Sequence, residues 1–380
     1  MAGPSARPRT GPLRITYVTA RYLPETGGTE IHTDEVARRI SARGADVTVV
    51  STTRDPRGVR AEDDGQLRVR RVPAWPRSRD YFFAPSLPSA IRESAPDLLH
   101  CQGYHTLVAP LAMCTALRRH IPYIVTFHSG GHSSRLRVLA RPAQGRLLRP
   151  LLVRARALVA VSQFEADLFA ERLDIPPERF SVIPSGIDLP IAPSAPAATE
   201  PGLIVSVGRV ESYKGHDRVV EALPALRRSQ PHVRLRVLGS GPYEPQLRRL
   251  AERLDVAELV EIAPVNGTRA DLADLLNRAA VVTAFSDYES QGLAVQEAIG
   301  LGRPVVVREG SALDELRSYP NVHTVPALAD AEALADVVTR VLHAPPAEAP
   351  PMQTWDDCVE ALAALYRDTM GRDLRGPSDA

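Results

Sequence analysis

The sequence predicts an α/β protein with two domains, each built on a parallel sheet. Short runs of β-branched and other apolar residues alternate with amphipathic helical segments along most of the chain, which is the pattern of repeated βαβ units. The chain has 380 residues, and this length suits two domains of about 150 to 200 residues better than one. A stretch rich in proline and alanine interrupts the alternation at 189–201, and a second α/β series follows it.

The first domain is predicted over residues 1–189. Buried-strand runs occur at Arg14–Thr19, 46–51 and 123–127, and an amphipathic helix is expected at 30–43, between the first two of them. Because helical sequence separates neighbouring strands, the strands should run parallel to one another.

The linker is predicted at 190–201 and the second domain at 202–354. The strands of the second domain are expected at Leu203–Val207, Arg234–Leu238, 281–285 and 304–307. A final helix is predicted at 355–370, after a second proline-rich piece, and we expect it to pack back onto the first domain. Two α/β domains that face one another leave a cleft at the carboxyl ends of both sheets, and ligands should bind there.

The composition argues against several classes of function. A net charge of +1 and a pI of about 7.8 give no argument for a nucleic-acid partner. The three cysteines form no CxxC pair, so we interpret them as packing residues in a reducing compartment rather than as a disulfide framework or a zinc site. The apolar runs are shorter than an export signal or a membrane span needs, which predicts a cytoplasmic protein.

The segment 135–156 carries seven arginines among leucines. Two interpretations of this segment stay open. It is either a solvated charged face, or a basic amphipathic surface in peripheral contact with anionic lipid at the inner face of the membrane. The second interpretation would suit a lipid-linked substrate.

The chain has one lysine, Lys214, among 46 basic residues. It lies where the predicted strand Leu203–Val207 has ended and a loop opens before a predicted helix. Phosphate groups bind at such places, because loop amides and the positive end of a helix macrodipole face the ligand while the ammonium group supplies a point charge. Arg209 adds a planar guanidinium group to the same loop. The alternative is that Lys214 is an accidental surface residue.

A second group of polar residues follows the predicted strand 281–285. The loop carries Glu289, and the helix after it should present free amides at Gln291, Gly292 and Leu293, where an anion can bind. Glu297, one to two turns later, can accept hydrogen bonds from the vicinal hydroxyls of a ribose, and Glu289 can hold another hydroxylated group. The layout suits a sugar nucleotide. The alternative is that both glutamates are surface charges.

Short motifs along nearly the whole chain support one family. They are Gly27-Gly28-Thr29-Glu30, Asp97-Leu98-Leu99-His100, Val125-Thr126-Phe127-His128, Val159-Ala160-Val161-Ser162, Val182-Ile183-Pro184-Ser185-Gly186-Ile187-Asp188, Gly208-Arg209, Lys214-Gly215-His216-Asp217, and the pair Glu289 and Glu297. In this order they resemble the retaining glycosyltransferases of family 4. The resemblance implies the GT-B fold, in which two Rossmann-like α/β domains face one another across a cleft.

The chain departs from the family pattern at three places. Ser290 and Gln291 stand where a glycine and an aromatic residue are usual, and Ser185 stands where asparagine is usual. The segment 310–315 replaces a paired-glycine segment, so no family role is carried over onto it. The first departure leaves the donor sugar open.

The resemblance implies transfer of a sugar from a nucleoside-diphosphate donor, UDP or GDP, to an acceptor hydroxyl or amine with retention of the anomeric configuration. The acceptor would be a small molecule, a glycan or a lipid-linked glycan. Arg209 and Lys214 would neutralise the departing diphosphate, helped by the amides near Gly28 and Gly292. No metal and no cofactor is then expected, and the nucleotide sugar is a co-substrate.

The remaining roles implied by the resemblance fall on three side chains. Glu289 would position the donor sugar, Glu297 would bind the ribose, and His128 would contact a sugar hydroxyl and steady the oxocarbenium-like centre. Two alternatives stay open. One is a glycoside hydrolase that uses Glu289 and Glu297 as acid and base, and the other is a GT-B protein that binds or epimerises a sugar nucleotide without transferring the sugar.

Overall fold

A computed structural model describes residues 11–25, 27–55, 57, 61–76, 82–128, 135–187, 199–264, 269–344 and 348–375, with the side chains of 135–141 left out. Most of the predicted linker 190–201 lies outside these residues. The described residues form two parallel sheets with helices on both faces of each. This arrangement is the α/β architecture that the alternation of strands and helices predicts.

The first sheet has eight strands. They are β1 (Arg14–Thr19), β2 (Asp46–Thr53), β3 (Ala61–Asp63), β4 (Arg68–Pro73), β5 (Leu98–Gln102), β6 (Tyr123–Thr126), β7 (Ala157–Ala160) and β8 (Phe180–Val182). Their order is β3-β4-β2-β1-β5-β6-β7-β8, and only the β3–β4 pair is antiparallel. In the central strand, Ile15 pairs with Val47 on one side and with Leu98 on the other. Helices cover both faces, so the strands β1, β2, β5, β6 and β7 are buried along almost their whole length.

The helices of this first half all follow strands of the sheet. They are α1 (Gly28–Ala42), α2 (Leu87–Ser94), α3 (Val108–Arg119), α4 (Arg135–Leu152) and α5 (Gln163–Leu173). Helix α5 is capped by Ser162, whose side chain accepts a hydrogen bond from the amide of Glu165.

The second sheet has six strands, all parallel. They are β9 (Leu203–Val207), β10 (Arg234–Leu238), β11 (Val260–Ala263), β12 (Val281–Ala284), β13 (Val305–Arg308) and β14 (Val322–Val325), in the order β11-β10-β9-β12-β13-β14. The helices are α6 (His216–Ser229), α7 (Glu244–Arg253), α8 (Arg269–Arg278), α9 (Leu293–Gly300) and α10 (Ala331–Leu342). This strand order is that of a doubly wound nucleotide-binding sheet, in which successive strands are added on one side up to β11 and on the other side from β12 onward.

The last helix, α11 (Trp355–Met370), packs into the core of the first sheet. Trp355 and Tyr366 are fully buried there, and the Tyr366 hydroxyl lies 2.6 Å from His100 Nδ1 and 2.9 Å from the Tyr17 hydroxyl. A capping box between Thr354 and Asp357 starts the helix. Within the described ranges, no helix combines the length and the apolar character needed to cross a membrane.

Candidate active site

The site follows from the order of the strands. Each sheet has a switch point between two adjacent central strands, from which the chain adds further strands on opposite sides. These strands are β1 and β5 in the first sheet and β9 and β12 in the second. The crevice at the carboxyl ends of such a pair is where open α/β sheets bind ligands. In the second sheet, the loops that leave this point carry Lys214 after β9 and Glu289 after β12.

Lys214 and Glu289 form an ion pair across this point. Lys214 Nζ donates to Glu289 Oε2 at 2.5 Å, and Ser286 Oγ lies 3.4 Å from the same oxygen. The side chains are 15% and 20% exposed. Burial acts to lower the pKa of Lys214, but the charge of Glu289, the neighbouring Tyr213 and the hydrogen bond to Glu289 together outweigh it, so the pKa lies above its ordinary value. The ammonium group is therefore charged at neutral pH.

The loop of Lys214 is held close to the second strand by Gly215. Its φ is +70°, and a Cβ atom built there would lie 2.1 Å from the carbonyl oxygen of Phe285. The amide of Asp287 also donates to the carbonyl of Tyr213 at 2.8 Å. These backbone contacts bring the two loops together, since only glycine allows the approach.

Arg209 lies on the same loop with its guanidinium group largely exposed. It donates to the hydroxyl of Tyr213 at 2.7 Å and lies 3.6 Å from the carboxylate of Glu211. The side chain is 57% exposed. The ring of Tyr213 also lies 5.6 Å from Lys214 Nζ. Tyr213 thus connects the two cations of the loop.

Two helix N-termini approach one another at the cleft. The caps of α1 and α9 are Gly27 and Gly292, and neither has a side-chain capping bond. A Cβ atom at Gly28 would lie 3.9 Å from the side chain of Leu293. Uncapped helix N-termini offer amide donors and a partial positive charge to an anion. The predicted amides at Gly28 and Gly292 therefore lie on opposite sides of one cleft.

Glu297 is buried, so the alternative that both glutamates are surface charges is wrong for this residue. Its Oε1 accepts a hydrogen bond from Arg269 at 2.7 Å. Burial raises the pKa of Glu297, and the charge of Arg269 opposes that shift without cancelling it. Arg269 was not predicted as a site residue, because no motif relates it to a glutamate 28 residues later.

His128 follows β6 and adopts a left-handed conformation with φ +43°. Its Nε2 lies 2.7 Å from Gln102 Oε1, and its ring lies 4.4 Å from the ring of His32. Burial and the neighbouring histidines lower the pKa of His128 well below its ordinary value. The ring is therefore neutral at physiological pH, and Gln102 fixes its orientation.

The side chain of Gln291 has a role that the sequence did not predict. Its Nε2 donates to the carbonyl of Ser185 at 2.8 Å, and its Oε1 accepts from the amide of Ser185 at 3.0 Å. The loop of the second sheet is thus joined to the segment after β8. Only the backbone amide of Gln291 was predicted to take part in the site.

A second link between the two halves was also missed. The carboxylate of Glu315 accepts hydrogen bonds from the amides of Phe164, at 2.6 Å, and Gln163, at 3.3 Å. Nearby, the rings of Phe164 and Tyr288 lie 5.8 Å apart. Glu315 belongs to the segment that departs from the family pattern, so neither a motif nor a local signal indicated this contact.

The described part of the chain places no group of three or more His, Cys, Asp or Glu side chains where they could hold a metal ion. The expected absence of a metal and of a cofactor stays a prediction.

Comparison with known proteins decides the family. Residues 26–190 match the family described as Glycosyltransferase Family 4, and residues 191–353 match Glycosyl transferases group 1. A D-inositol 3-phosphate glycosyltransferase of Nocardiopsis dassonvillei is 31% identical in an alignment of 340 positions that covers 78% of this chain and 78% of its own. The chain belongs to glycosyltransferase family 4. As a glycosyltransferase it takes its sugar from a sugar nucleotide, and the hydrolase alternative is wrong.

Other relatives of this glycosyltransferase have different substrates in their names. A GDP-mannose:cellobiosyl-diphosphopolyprenol alpha-mannosyltransferase of Xanthomonas oryzae pv. oryzae is 28% identical and covers 87% of this chain and 88% of its own. A glycogen synthase of Mycobacterium tuberculosis is also 28% identical and covers 88% of this chain and 87% of its own. These relatives agree on glycosyl transfer and differ in the acceptor.

Solved structures confirm the GT-B fold. Sucrose-phosphate synthase from Thermosynechococcus elongatus superimposes with a TM-score of 0.75 at 20% identity, covering 94% of this glycosyltransferase and 99% of its own chain. HepE from Anabaena, solved in complex with UDP-glucose, gives a TM-score of 0.69 at 16% identity, covering 94% and 96%. At these identities the likeness concerns the fold alone.

Proposed function

We propose that this protein is a retaining, metal-independent hexosyltransferase that uses a UDP- or GDP-sugar. The observation that carries the proposal is the ion pair of Lys214 and Glu289, which lies at the switch point of the second sheet. A sheet of this topology places a nucleotide at that point, and the pair supplies both a cation for phosphate and a carboxylate for sugar hydroxyls. The nucleotide would therefore meet both groups at once.

The leaving diphosphate needs positive charge as the glycosidic bond breaks. Lys214 is charged at neutral pH, Arg209 is accessible beside it, and the amides at Gly28 and Gly292 face the same cleft. Fixed donors of this kind stabilise charge that develops in the transition state and require no rearrangement during the reaction. We therefore assign to them the role that a divalent cation has in other transferases.

In the proposed reaction, the bond between the anomeric carbon and the diphosphate oxygen breaks. The acceptor oxygen or nitrogen bonds to the same carbon from the same face, and its proton passes to the leaving phosphate oxygen. The configuration is retained, and no protein nucleophile takes part. Glu289 positions the donor sugar, and the neutral ring of His128 contacts a sugar hydroxyl and steadies the oxocarbenium-like centre.

Glu297 is proposed to bind the ribose of the donor. A buried carboxylate can accept hydrogen bonds from two vicinal hydroxyls, and Glu297 is buried on α9 close behind the amides at Gly292. Its present partner, Arg269, begins helix α8. Arg269 would then border the nucleoside end of the site.

The acceptor is proposed to be a small molecule, a glycan or a lipid-linked glycan. Relatives are named for inositol phosphate, glycogen and diphosphopolyprenol substrates, which spans all three classes. For a lipid-linked acceptor, the basic segment 135–156 would give a peripheral contact with the membrane from the cytoplasmic side.

The test is a thermal-shift panel of UDP-, GDP-, ADP- and dTDP-sugars, with and without magnesium, on the wild type and on Lys214→Ala. One nucleotide should raise the melting temperature without metal, and the variant should lose that rise. Stabilisation that appears only with magnesium would overturn the metal-independent reaction. Stabilisation that survives in Lys214→Ala would overturn the assigned diphosphate site.

A further inference from the structure

A continuous chain of contacts joins the donor loop to His128. The side-chain amide of Gln291 exchanges two hydrogen bonds with the backbone of Ser185. The hydroxyl of Ser185 lies 2.8 Å from Nδ1 of His32. The ring of His32 then meets the ring of His128 edge to face, with centroids 4.4 Å apart and planes inclined at 67°.

The three linking residues come from separate parts of the fold and are all buried. Gln291 precedes α9, Ser185 follows β8, and His32 lies on α1. A buried polar group that loses its partner costs more free energy than the hydrogen bond contributes when it is made. The chain of contacts therefore favours one arrangement of the two halves at this point.

His32 is held by few polar contacts. Its Nδ1 bonds to Ser185, and its buried Nε2 has no hydrogen-bond partner among the described residues. The ring also contacts Trp355, with centroids 5.7 Å apart. Burial lowers the pKa of His32 to about 3, so it brings no charge to His128. Its influence on His128 is through ring contact, and Ser185 sets the orientation of the ring.

Two of the departures from the family pattern thus form one feature. Ser185 and Gln291 are the unusual residues at their positions, and they bond directly to each other. A hydroxyl at position 185 also provides the contact with His32. The bonds of Gln291 reach backbone groups of residue 185, whereas the Ser185 side chain is used in the contact with His32.

We propose that His32 is a positioning residue for His128, that Ser185 holds it in place, and that Gln291 couples this arrangement to the donor loop. The inference rests on the proposed role of His128 at the donor sugar. Its consequence is that the contribution of the sugar to donor affinity depends on His32 and Ser185, to which no contact with the sugar or the nucleotide is assigned.

The experiment compares Kd for a nucleoside diphosphate with Kd for its sugar, using UDP and UDP-glucose or GDP and GDP-mannose, whichever pair stabilises the protein. Ser185→Ala removes only the hydroxyl, and His32→Phe keeps a ring but removes the hydrogen bond. Each variant should reduce the sugar's contribution to affinity about fivefold, the factor expected for one hydrogen bond. Kd for the bare diphosphate should change less than about twofold.

The double variant Ser185→Ala/His32→Phe should be no weaker than either single variant, because both remove the same bond. Full additivity would show that Ser185 does not act through His32 and would overturn the proposal. Asn321→Leu is the control for a general loss of stability, since this buried amide donates to the carbonyls of Ile299 and Arg303 within the second half. It should lower the melting temperature and leave the sugar's contribution unchanged.

His128→Ala separates failure of this inference from failure of the proposed function. If His128→Ala leaves the sugar's contribution at the wild-type value, the proposed role of His128 is wrong. If it lowers that contribution while Ser185→Ala and His32→Phe do not, the positioning role is wrong and the role of His128 stands. Ser185→Ala is the variant expected to keep the fold, because the hydrogen bonds between Gln291 and the backbone of Ser185 do not involve the Ser185 side chain.

Discussion

Lys214 Nζ lies 2.5 Å from Glu289 Oε2, although the two residues are 75 positions apart in sequence. The contact exists because β9 and β12 are neighbours in the second sheet and their following loops leave at the same edge. The cation proposed to hold the diphosphate is thereby balanced by the carboxylate proposed to hold the sugar. Each therefore sets the electrostatic environment of the other.

Glu289→Gln should change diphosphate binding and turnover in opposite directions. Loss of the carboxylate leaves the charge of Lys214 uncompensated, so UDP or GDP should bind several times more tightly near neutral pH. Release of nucleoside diphosphate from the nucleotide sugar should fall by about 100-fold or more, because the sugar loses its positioning group. Calorimetry and a diphosphate-release assay measure the two effects.

The gain in affinity of Glu289→Gln should depend on pH. Glu289 contributes most to keeping the pKa of Lys214 above its ordinary value, and without it the effect of burial, which lowers that pKa, is opposed only by Tyr213. The variant should therefore keep its gain in diphosphate affinity near neutral pH and lose affinity as the pH rises through the lowered pKa of Lys214. An affinity that is the same across the alkaline range in variant and wild type would contradict this account.

Donor affinity should also fall on the acid side, through Glu297. A protonated carboxyl group accepts fewer hydrogen bonds from ribose hydroxyls, and burial places the pKa of Glu297 above that of a free glutamate. Kd for the nucleotide, measured from about pH 4 to 7, should rise as the pH falls through this raised pKa. Arg269→Ala removes the opposing charge and should move the acid limb to higher pH, whereas Glu297→Gln should abolish it.

Gly215→Ala should be more damaging than an ordinary glycine replacement. Gly215 and Gly371 both have positive φ, but a Cβ atom at Gly215 would meet the carbonyl of Phe285 at 2.1 Å, whereas Gly371 has open space around it. Gly371→Ala should lower stability by about 1 kcal/mol from backbone strain alone. Gly215→Ala should cost more in urea unfolding and should weaken nucleotide binding, since the loop of Lys214 must move. Equal costs for the two variants would contradict the close approach.

Glu315→Ala should loosen the second link between the two halves. The carboxylate accepts hydrogen bonds from the first amides of α5, and loss of an N-terminal acceptor of this kind costs about 0.5–2 kcal/mol. We expect the lower part of that range, because Glu315 is exposed. Glu332→Ala is a matched control, as Glu332 pairs with Arg228 inside the second half. Small-angle scattering should show a larger radius of gyration for Glu315→Ala than for the control.

The elements and the fold could be predicted because they depend on local pattern. The helix predicted at 355–370 is observed as Trp355–Met370, and the strands predicted at Arg14–Thr19 and Leu203–Val207 have the same bounds in the structure. The spacing of apolar residues along the chain predicts such helices and strands, because it shows which face of each element is buried. The meeting of the loops after β9 and β12 follows from strand order, which is a general property of these sheets.

The side-chain partners in the site could not be predicted in the same way. The pairing of Glu297 with Arg269 and the capping of α5 by Glu315 depend on distances between elements that are remote in sequence. Gln291 is the clearest example. The position of its backbone amide in the loop after β12 was predictable, but the contact of its side chain with Ser185 was not. No periodic pattern encodes these choices, which are made by tertiary packing.

The return of α11 to the first sheet has a consequence for biosynthesis. Tyr17, near the start of the first sheet, and Tyr366, on α11, lie in one hydrophobic cluster and share a hydrogen bond. The ribosome must therefore translate the whole second sheet before α11 can cover its packing surface on the first sheet, where Trp355 is buried. Until then the nascent chain displays an apolar patch, and the second half folds while the first is still incomplete. Chaperones that shield such patches should matter most for this protein between synthesis of β8 and synthesis of α11.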